Sequence, residues 1–299
     1  MTTHWRERPI GIVGLGLIGG SLGLDLQAQG LEVRALVHRV STAERARERG
    51  LAQRIETDPA VLEDCGLVIL ALPLDRLLDP DPALVAALPA DAVITDVGSV
   101  KQPIQERWDK LHRRFLPSHP MAGTAQAGVE AGLSGLFQGR PWVATPTAGS
   151  DSDALASVRA LAEAVGAHWL ECPAAAHDQA VALISHMPVL ISAALLQSAD
   201  QGGSAVQAES LVRALASSGF ADTSRIGGGN PELGTLMART NRSAVLAALE
   251  QYQRQLGALQ GLVEGEQWEA LQQQLSQCQT LRPEFLLSLI HISEPTRPY

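Results

Sequence analysis

Residues 14–19 read Gly-Leu-Gly-Leu-Ile-Gly, a GxGxxG run between two recognisable elements. Before it, Pro9–Gly14 (PIGIVG) has the look of a short apolar strand; after it, residues 17–29 (LIGGSLGLDLQAQ) carry apolar side chains at helical spacing and stop at Gly30. GxGxxG alone is a weak signal, but between a strand and a helix it predicts a dinucleotide site. Gly14 makes the tight turn, Gly16 lets a pyrophosphate approach the backbone, and Gly19 lets the helix pack on the strand. The helix N-terminus, through Leu17 and Ile18, offers N–H groups and the positive dipole end to an anion.

The following residues extend this unit. Leu31–Val37 is strand-like, and residues 41–49 (STAERARER) predict a helix capped by Ser/Thr and stopped at Gly50. Leu67–Leu72, Ala92–Val97, Trp142–Thr145 and His168–Glu171 are further strand candidates, with helical stretches between them, notably 152–165. Alternation of this kind predicts βαβ units and a parallel sheet. It stops near Pro173. Residues 177–201, 205–219, 231–257 and 260–279 are rich in Ala, Leu and Gln and predict helices. The first and third of these are apolar on more than one face, which predicts burial against a second subunit. The expected organisation is a dinucleotide-binding domain over 1–173, a helical substrate and dimerisation domain over 174–287, and a tail over 288–299. The tail (SLIHISEPTRPY) has no periodicity, resembles a vector read-through peptide, and is expected to be disordered.

Composition narrows the function classes. The chain has 299 residues, 45% hydrophobic and 18% charged, which is a globular composition of about two domains. Its net charge of −9 and its eleven aromatic residues disfavour nucleic-acid binding. Three scattered cysteines without a CxxC support neither a disulfide framework nor a zinc site, and a reducing, cytoplasmic setting is expected. The first nine residues lack a signal-peptide core, and no run of about 18 consecutive apolar residues predicts a membrane span.

The second strand bears on the choice of dinucleotide. NAD sites usually place Asp or Glu about 20 residues past the glycines. Here the strand ends Leu36-Val37-His38-Arg39, with no acid, and Arg39 can pair with a 2′-phosphate. NADP is therefore the expected cofactor, with His38 and Arg39 on its phosphate and Leu72-Pro73 against it at the end of the third strand. The loop of Asp96-Val-Gly-Ser99-Val-Lys101 lies on the same carboxyl edge. In Ser118-His119-Pro120-Met-Ala-Gly123-Thr124, Pro and Gly predict that His119 is held in a turn, outside any sheet ladder, facing a cleft as a candidate general base. His177 and His186 are nine residues apart and are expected on opposing faces of one helix, which is no metal-ligand spacing. Arg225 sits in a Gly-rich loop (GFADTSRIGGGNP) as a candidate carboxylate clamp.

Together, GLGLIGGSL, DVGSVK, SHPMAGT, HDQAVALISHMP and GFADTSRIGGGNPELG resemble the prephenate/arogenate dehydrogenase family, in matching order over about residues 9–285. ISHMPV and TSRIGGGNPELGT are most similar to the cyanobacterial arogenate dehydrogenases, which lack an attached chorismate mutase or ACT domain. The resemblance implies an α/β fold: an N-terminal Rossmann-type parallel-sheet domain followed by an all-α dimerisation domain, acting as a homodimer. It also implies oxidative decarboxylation in tyrosine synthesis. By position, His119 matches the catalytic histidine, Ser99 the serine that orients it and also meets the cofactor, and Arg225 the arginine that binds the substrate carboxylate. His186, Gly123 and Thr124 are expected to line the substrate. Members that favour prephenate often carry a histidine three residues after the SH pair. Val189 stands there, which favours arogenate. The related β-hydroxyacid dehydrogenases use a lysine from the helical domain, whereas both lysines here, Lys101 and Lys110, precede it.

Overall fold

The computed structural model describes residues 4–124 and 126–290, with side chains over 5–124 and 126–285. Six parallel strands form the main sheet: β1 (Ile10–Val13), β2 (Val33–Leu36), β3 (Arg54–Glu56), β4 (Leu67–Leu70), β5 (Val93–Asp96) and β6 (Phe115–Leu116). Their order is β3-β2-β1-β4-β5-β6, so the direction of winding reverses between β1 and β4. The central strands are buried on both faces, which is why they read as unbroken apolar runs. Ile10, Ile12, Leu67 and Ile69 point into one core, and Val13, Val68, Leu70 and Ile94 into the other. Helices α1 (Leu17–Gln27), α2 (Val40–Glu48), α3 (Leu74–Leu78), α4 (Pro82–Ala87) and α5 (Gln102–Trp108) connect the strands.

A second sheet of three strands follows, in the order β7 (Ser118–Pro120), β8 (Pro141–Ala144), β9 (His168–Glu171), with α6 (Ser152–Ala164) between the last two. β7 runs antiparallel to β8, and β9 parallel to it. The strands β3, β6 and β7 have no counterpart in the sequence reading, because two or three residues with few apolar side chains leave no periodic signal.

After β9 every described element is helical: α7 (Ala174–Val181), a π turn over Ala182–His186, α8 (Met187–Ala205), α9 (Glu209–Leu215), α10 (Ser218–Ser224), α11 (Pro231–Thr240), α12 (Arg242–Glu264) and α13 (Trp268–Ile290). The stretch expected as one helix over 231–257 is two, divided at Asn241, and the helix expected from 260 starts at Trp268. α2 begins at Val40 with Arg39 at its N-cap, so Ser41 and Thr42 lie inside the helix and do not cap it. Of the expected tail, Ser288–Ile290 belongs to α13, and residues 291–299 lie outside the described residues.

The two halves differ in burial. Leu236 and Met237 of α11 enter the α/β core, but the helical half keeps only a small cluster of its own around Ala182, Val245 and Ala248. Thirteen of the sixteen large apolar side chains left exposed among the described residues lie beyond Pro173, including Ile184, Leu215, Leu256 and Phe285. Helical Ala174–Ala205 is long and apolar enough to cross a membrane by length and composition alone, although no unbroken apolar run announced it. Yet it holds His177, Asp178 and His186, all buried against neighbouring elements.

Candidate active site

The glycine run lies at the carboxyl end of β1, beside the point where the strand order reverses, the usual ligand position in such sheets. Gly14 has φ +94°, and a Cβ there would stand 2.4 Å from the Ala71 carbonyl oxygen. A Cβ on Gly19 would stand 2.0 Å from the Gly14 carbonyl oxygen. These two glycines close the turn. Around Gly16 nothing lies within 4 Å of an added Cβ. Gly16 is the N-cap of α1, no side chain caps it, and the first turn carries no acid. Open space beside uncapped N–H groups fits a pyrophosphate. At the end of β2, Val37 is buried, while His38 and Arg39 are exposed. The Arg39 guanidinium has no hydrogen-bond or ion-pair partner among the described residues.

A second group of residues gathers at the ends of β5 and β7. Asp96 and Lys101, both fully buried, form an ion pair through Oδ2 and Nζ. Lys101 Nζ also donates to the Ser118 carbonyl oxygen at 2.6 Å. Asp96 accepts from the backbone N–H of Gly98 (2.8 Å) and Ser118 (3.2 Å). The Ser118 hydroxyl completes the junction, 2.9 Å from both the Asp96 carbonyl oxygen and Thr95 Oγ1. The pair thus ties the β5 loop to the strand that carries His119.

His119 is not in a turn. It is the middle residue of β7 and pairs in register with Val143. β7 is an edge strand, which is where Pro120, lacking an N–H, is tolerated. The pleat sends Ser118 and Pro120 into the interior and His119 to the opposite, half-buried face. There His119 Nδ1 lies 2.9 Å from His177 Nε2, the rings 5.2 Å apart and nearly perpendicular. His177 Nδ1 lies 2.8 Å from Asp178 Oδ1. Asp178 in turn accepts from the backbone N–H of Lys101 (2.7 Å) and Gln102 (2.9 Å), capping α5 from the other domain. Asn241 Nδ2 donates to the Asp178 carbonyl oxygen at 2.7 Å and stands 3.2 Å from His186 Nδ1.

His177 and His186 therefore approach one cluster, contrary to the expectation of opposing faces. Pro188 has no N–H to give the helix, and its ring crowds the carbonyl four residues back. The chain answers with the π turn, which spends more residues per revolution, so nine residues fall short of the expected half-turn. Burial, first of all, and the neighbouring Lys101 ammonium in the same direction hold His119 well below the ordinary histidine value. Burial likewise pushes His186 down to about 4. For His119 that direction favours the unprotonated imidazole, the form a general base requires.

Comparison with known proteins places this architecture. Residues 22–171 match the family described as prephenate dehydrogenase, nucleotide-binding domain, and residues 173–277 match prephenate dehydrogenase, dimerization domain. The chain belongs to the prephenate dehydrogenase family. Cyclohexadienyl dehydrogenase of Zymomonas mobilis is 29% identical over 91% of this chain and 94% of its own length. Among solved structures, Synechocystis arogenate dehydrogenase is 40% identical with a TM-score of 0.80, covering 93% of this chain and 99% of that one. Aquifex aeolicus prephenate dehydrogenase, in complex with hydroxyphenyl propionate and NAD+, is 26% identical with a TM-score of 0.82, covering 93% and 98%.

The other expected residues of this family member are placed as follows. Ser99 lies on the β5–α5 loop, partly exposed, its hydroxyl without a partner among the described residues, and His119 takes His177 as its Nδ1 partner. Leu72 packs on the α/β core, and Pro73 is exposed at the start of α3. Gly123 is exposed beyond β7, and Thr124 Oγ1 accepts from the Gln126 N–H. Arg225 follows α10 directly, so the first half of its expected loop is helix; it is exposed, and no hydrogen bond joins it to the histidines. Ser192 holds this region, donating to the Thr223 carbonyl oxygen and accepting from the Gly227 N–H, both at 2.8 Å. Lys101, Asp178 and Asn241 were not singled out from the sequence. The Asp of His-Asp at 177–178 and the Lys ending DVGSVK were visible, but nothing local showed that they meet. A cavity of about 610 Å³ opens beside Gln102, Asp178 and Asn241. Neither His119 nor the glycines line it, so it is a groove at the domain junction.

Proposed function

We propose that the chain is an arogenate dehydrogenase that uses NADP and converts L-arogenate to L-tyrosine. The observation that carries the chemistry is the placing of His119, a histidine beside the carboxyl edge of the dinucleotide-binding sheet whose Nδ1 lies 2.9 Å from His177 Nε2. His119 accepts the proton of the substrate's ring hydroxyl. A nicotinamide dinucleotide held at Gly14–Gly19 would supply the acceptor for the hydride on the carbon that bears this hydroxyl. The ring carboxylate then leaves as CO₂, its bonding electrons complete the aromatic ring, and the chain's task is mainly to align the reacting groups. Ser99 and Thr124 are the hydroxyls proposed for the substrate, and Arg225 is the cation proposed for its carboxylate.

Two observations favour arogenate over prephenate. Val189 is half-buried against the α/β core, an apolar side chain at the position where a histidine could hydrogen-bond a keto acid. The 40% identical Synechocystis structure is an arogenate dehydrogenase. NADP is favoured by the unpaired Arg39 at the end of β2 and by the missing acid at Val37. A homodimer through the helical domain is supported by the family description of that domain and by its exposed apolar faces. The three unpaired cysteines suit the cytoplasm.

Steady-state rates with both substrates and both cofactors test the reading. Arogenate with NADP is expected to give the highest kcat/KM, and prephenate giving the higher value would replace the substrate. Arg39→Ala is expected to weaken NADP by about 10- to 100-fold and to leave NAD nearly unchanged, the scale of one charge-assisted contact. Equal loss for both dinucleotides would remove the 2′-phosphate role.

A further inference from the structure

The carboxylate of Asp178 accepts backbone N–H groups at both oxygens, from Lys101 at Oδ1 and from Gln102 at Oδ2. It is therefore held as an acceptor, and the His177 Nδ1 that faces Oδ1 at 2.8 Å must carry a proton. A neutral imidazole protonated at Nδ1 presents a lone pair at Nε2. That lone pair faces His119 Nδ1 at 2.9 Å, so His119 Nδ1 is the donor of the pair. His119 then has its own lone pair at Nε2, the ring nitrogen pointing away from His177. His177 and Asp178 are both buried, so water does not compete for either bond.

We infer that His177 is a positioning residue for the reaction: through Asp178 it fixes His119 as the Nδ1–H tautomer and reserves Nε2 to take the substrate's proton. The inference rests on the reading of His119 as the base. It adds a consequence of the fold. The carboxylate that orients His177 also caps α5 across the domain junction, so the helical domain must be seated for the base to be set. The same carboxylate side chain thus joins docking to chemistry.

The charged and titratable groups around this pair are Asp96 and Lys101 from the β5 end, Asp178 on α7, and His186 in the π turn. The test begins with the wild-type protein. Two-dimensional ¹H–¹⁵N spectra of the imidazole nitrogens, at a pH where the enzyme is active, are expected to show His119 protonated at Nδ1. Finding the proton at Nε2 overturns the inference, and so would a protonated His177, whose Nε2–H would donate to His119 Nδ1 and reverse that bond. His177→Leu removes the acceptor. It is expected to lower kcat by about 10- to 100-fold, with both KM values nearly unchanged and with His119 now mixing both tautomers. His177→Gln, whose amide oxygen can accept the same N–H, is expected to recover most of the rate and the tautomer. A kcat unmoved by His177→Leu, or a glutamine variant as slow as the leucine one, overturns the inference. His119→Asn separates the two readings. If it leaves turnover intact, the base reading itself has failed; if it abolishes turnover while His177→Leu has no effect, only the positioning role has failed.

Discussion

Six contiguous residues, Gly14–Gly19, make the proposed cofactor cradle from backbone, whereas the cluster around His119 draws side chains from the whole span between Asp96 and Asn241. The cradle works by what is missing: no side chain at Gly16, no cap on α1, no acid in its first turn. The cluster works by what is brought together, two strand ends from one domain and two helices from the other. A site of the first kind tolerates error elsewhere in the fold. A site of the second kind depends on the docking of two domains, and its side chains hold up the structure as well as standing where the chemistry is proposed.

The largest effect expected from breaking the comparison is at His119. His119→Asn keeps a polar side chain of similar reach at the half-buried face of β7 but removes the proposed base. Turnover is expected to fall by at least about 10²- to 10⁴-fold, the usual contribution of a positioned base. NADP affinity, measured by fluorescence or calorimetry, is expected to stay within about threefold, because the cradle is built separately. A large loss of NADP affinity in this variant would show that the two regions are not independent.

Next in size is Lys101→Met. The methionine fills the space but leaves the Asp96 carboxylate buried without its ion pair. Breaking such a pair costs about 3–5 kcal/mol. That is a large part of the roughly 5–15 kcal/mol that holds a typical protein folded. Urea unfolding would read this as a lower midpoint. A variant as stable as the wild type would mean that the Gly98 and Ser118 N–H groups alone satisfy Asp96.

The same contrast accounts for what the sequence disclosed. The strand, the three glycines and the helix are neighbours in the chain, and each residue type there has a local reason. The central strands were equally plain, because burial on both faces leaves an apolar run. His119 stood out by type, but its strand did not, since β7 has three residues and its partner β8 lies more than twenty residues further on. The convergence of His177 and His186 depended on a π turn that Pro188 induces, and regular helical counting gave the wrong face. Lys101 and Asp178 meet across 77 positions. Spacing arguments reach along one element, and a contact of that separation is decided by how the domains pack.

Gly16→Ala sharpens the comparison from the cradle's side. Gly16 has φ −78°, which alanine adopts without strain, and an added methyl meets no atom of the protein. The ligand-free protein is expected to melt within about 2 °C of wild type, as for a substitution away from any packed feature. The methyl stands where the pyrophosphate is expected, so dinucleotide affinity should fall by about 10- to 100-fold, the scale of overpacking a fitted contact. A destabilised protein with normal affinity would reverse the assignment.

Acid gives the smallest and most graded test. The cradle has no titratable side chain, whereas the cluster holds His186, pushed by burial from 6.5 to about 4, and His119, lowered in the same direction. Below pH 6.5 the unfolded chain takes up protons at these histidines and the folded chain does not. Their contribution to stability is therefore complete above pH 6.5 and is lost as pH falls towards the folded values. For His186 the loss is about 1.4 kcal/mol per pH unit and about 3 kcal/mol in all. Urea unfolding at pH 7.5 and 5.5 is expected to show a drop at least about 1 kcal/mol larger in the wild type than in His186→Asn, which keeps a polar group beside Asn241 but takes up no proton. Equal drops in the two proteins would mean that His186 binds its proton as readily in the folded as in the unfolded chain, so that burial does not hold it below 6.5.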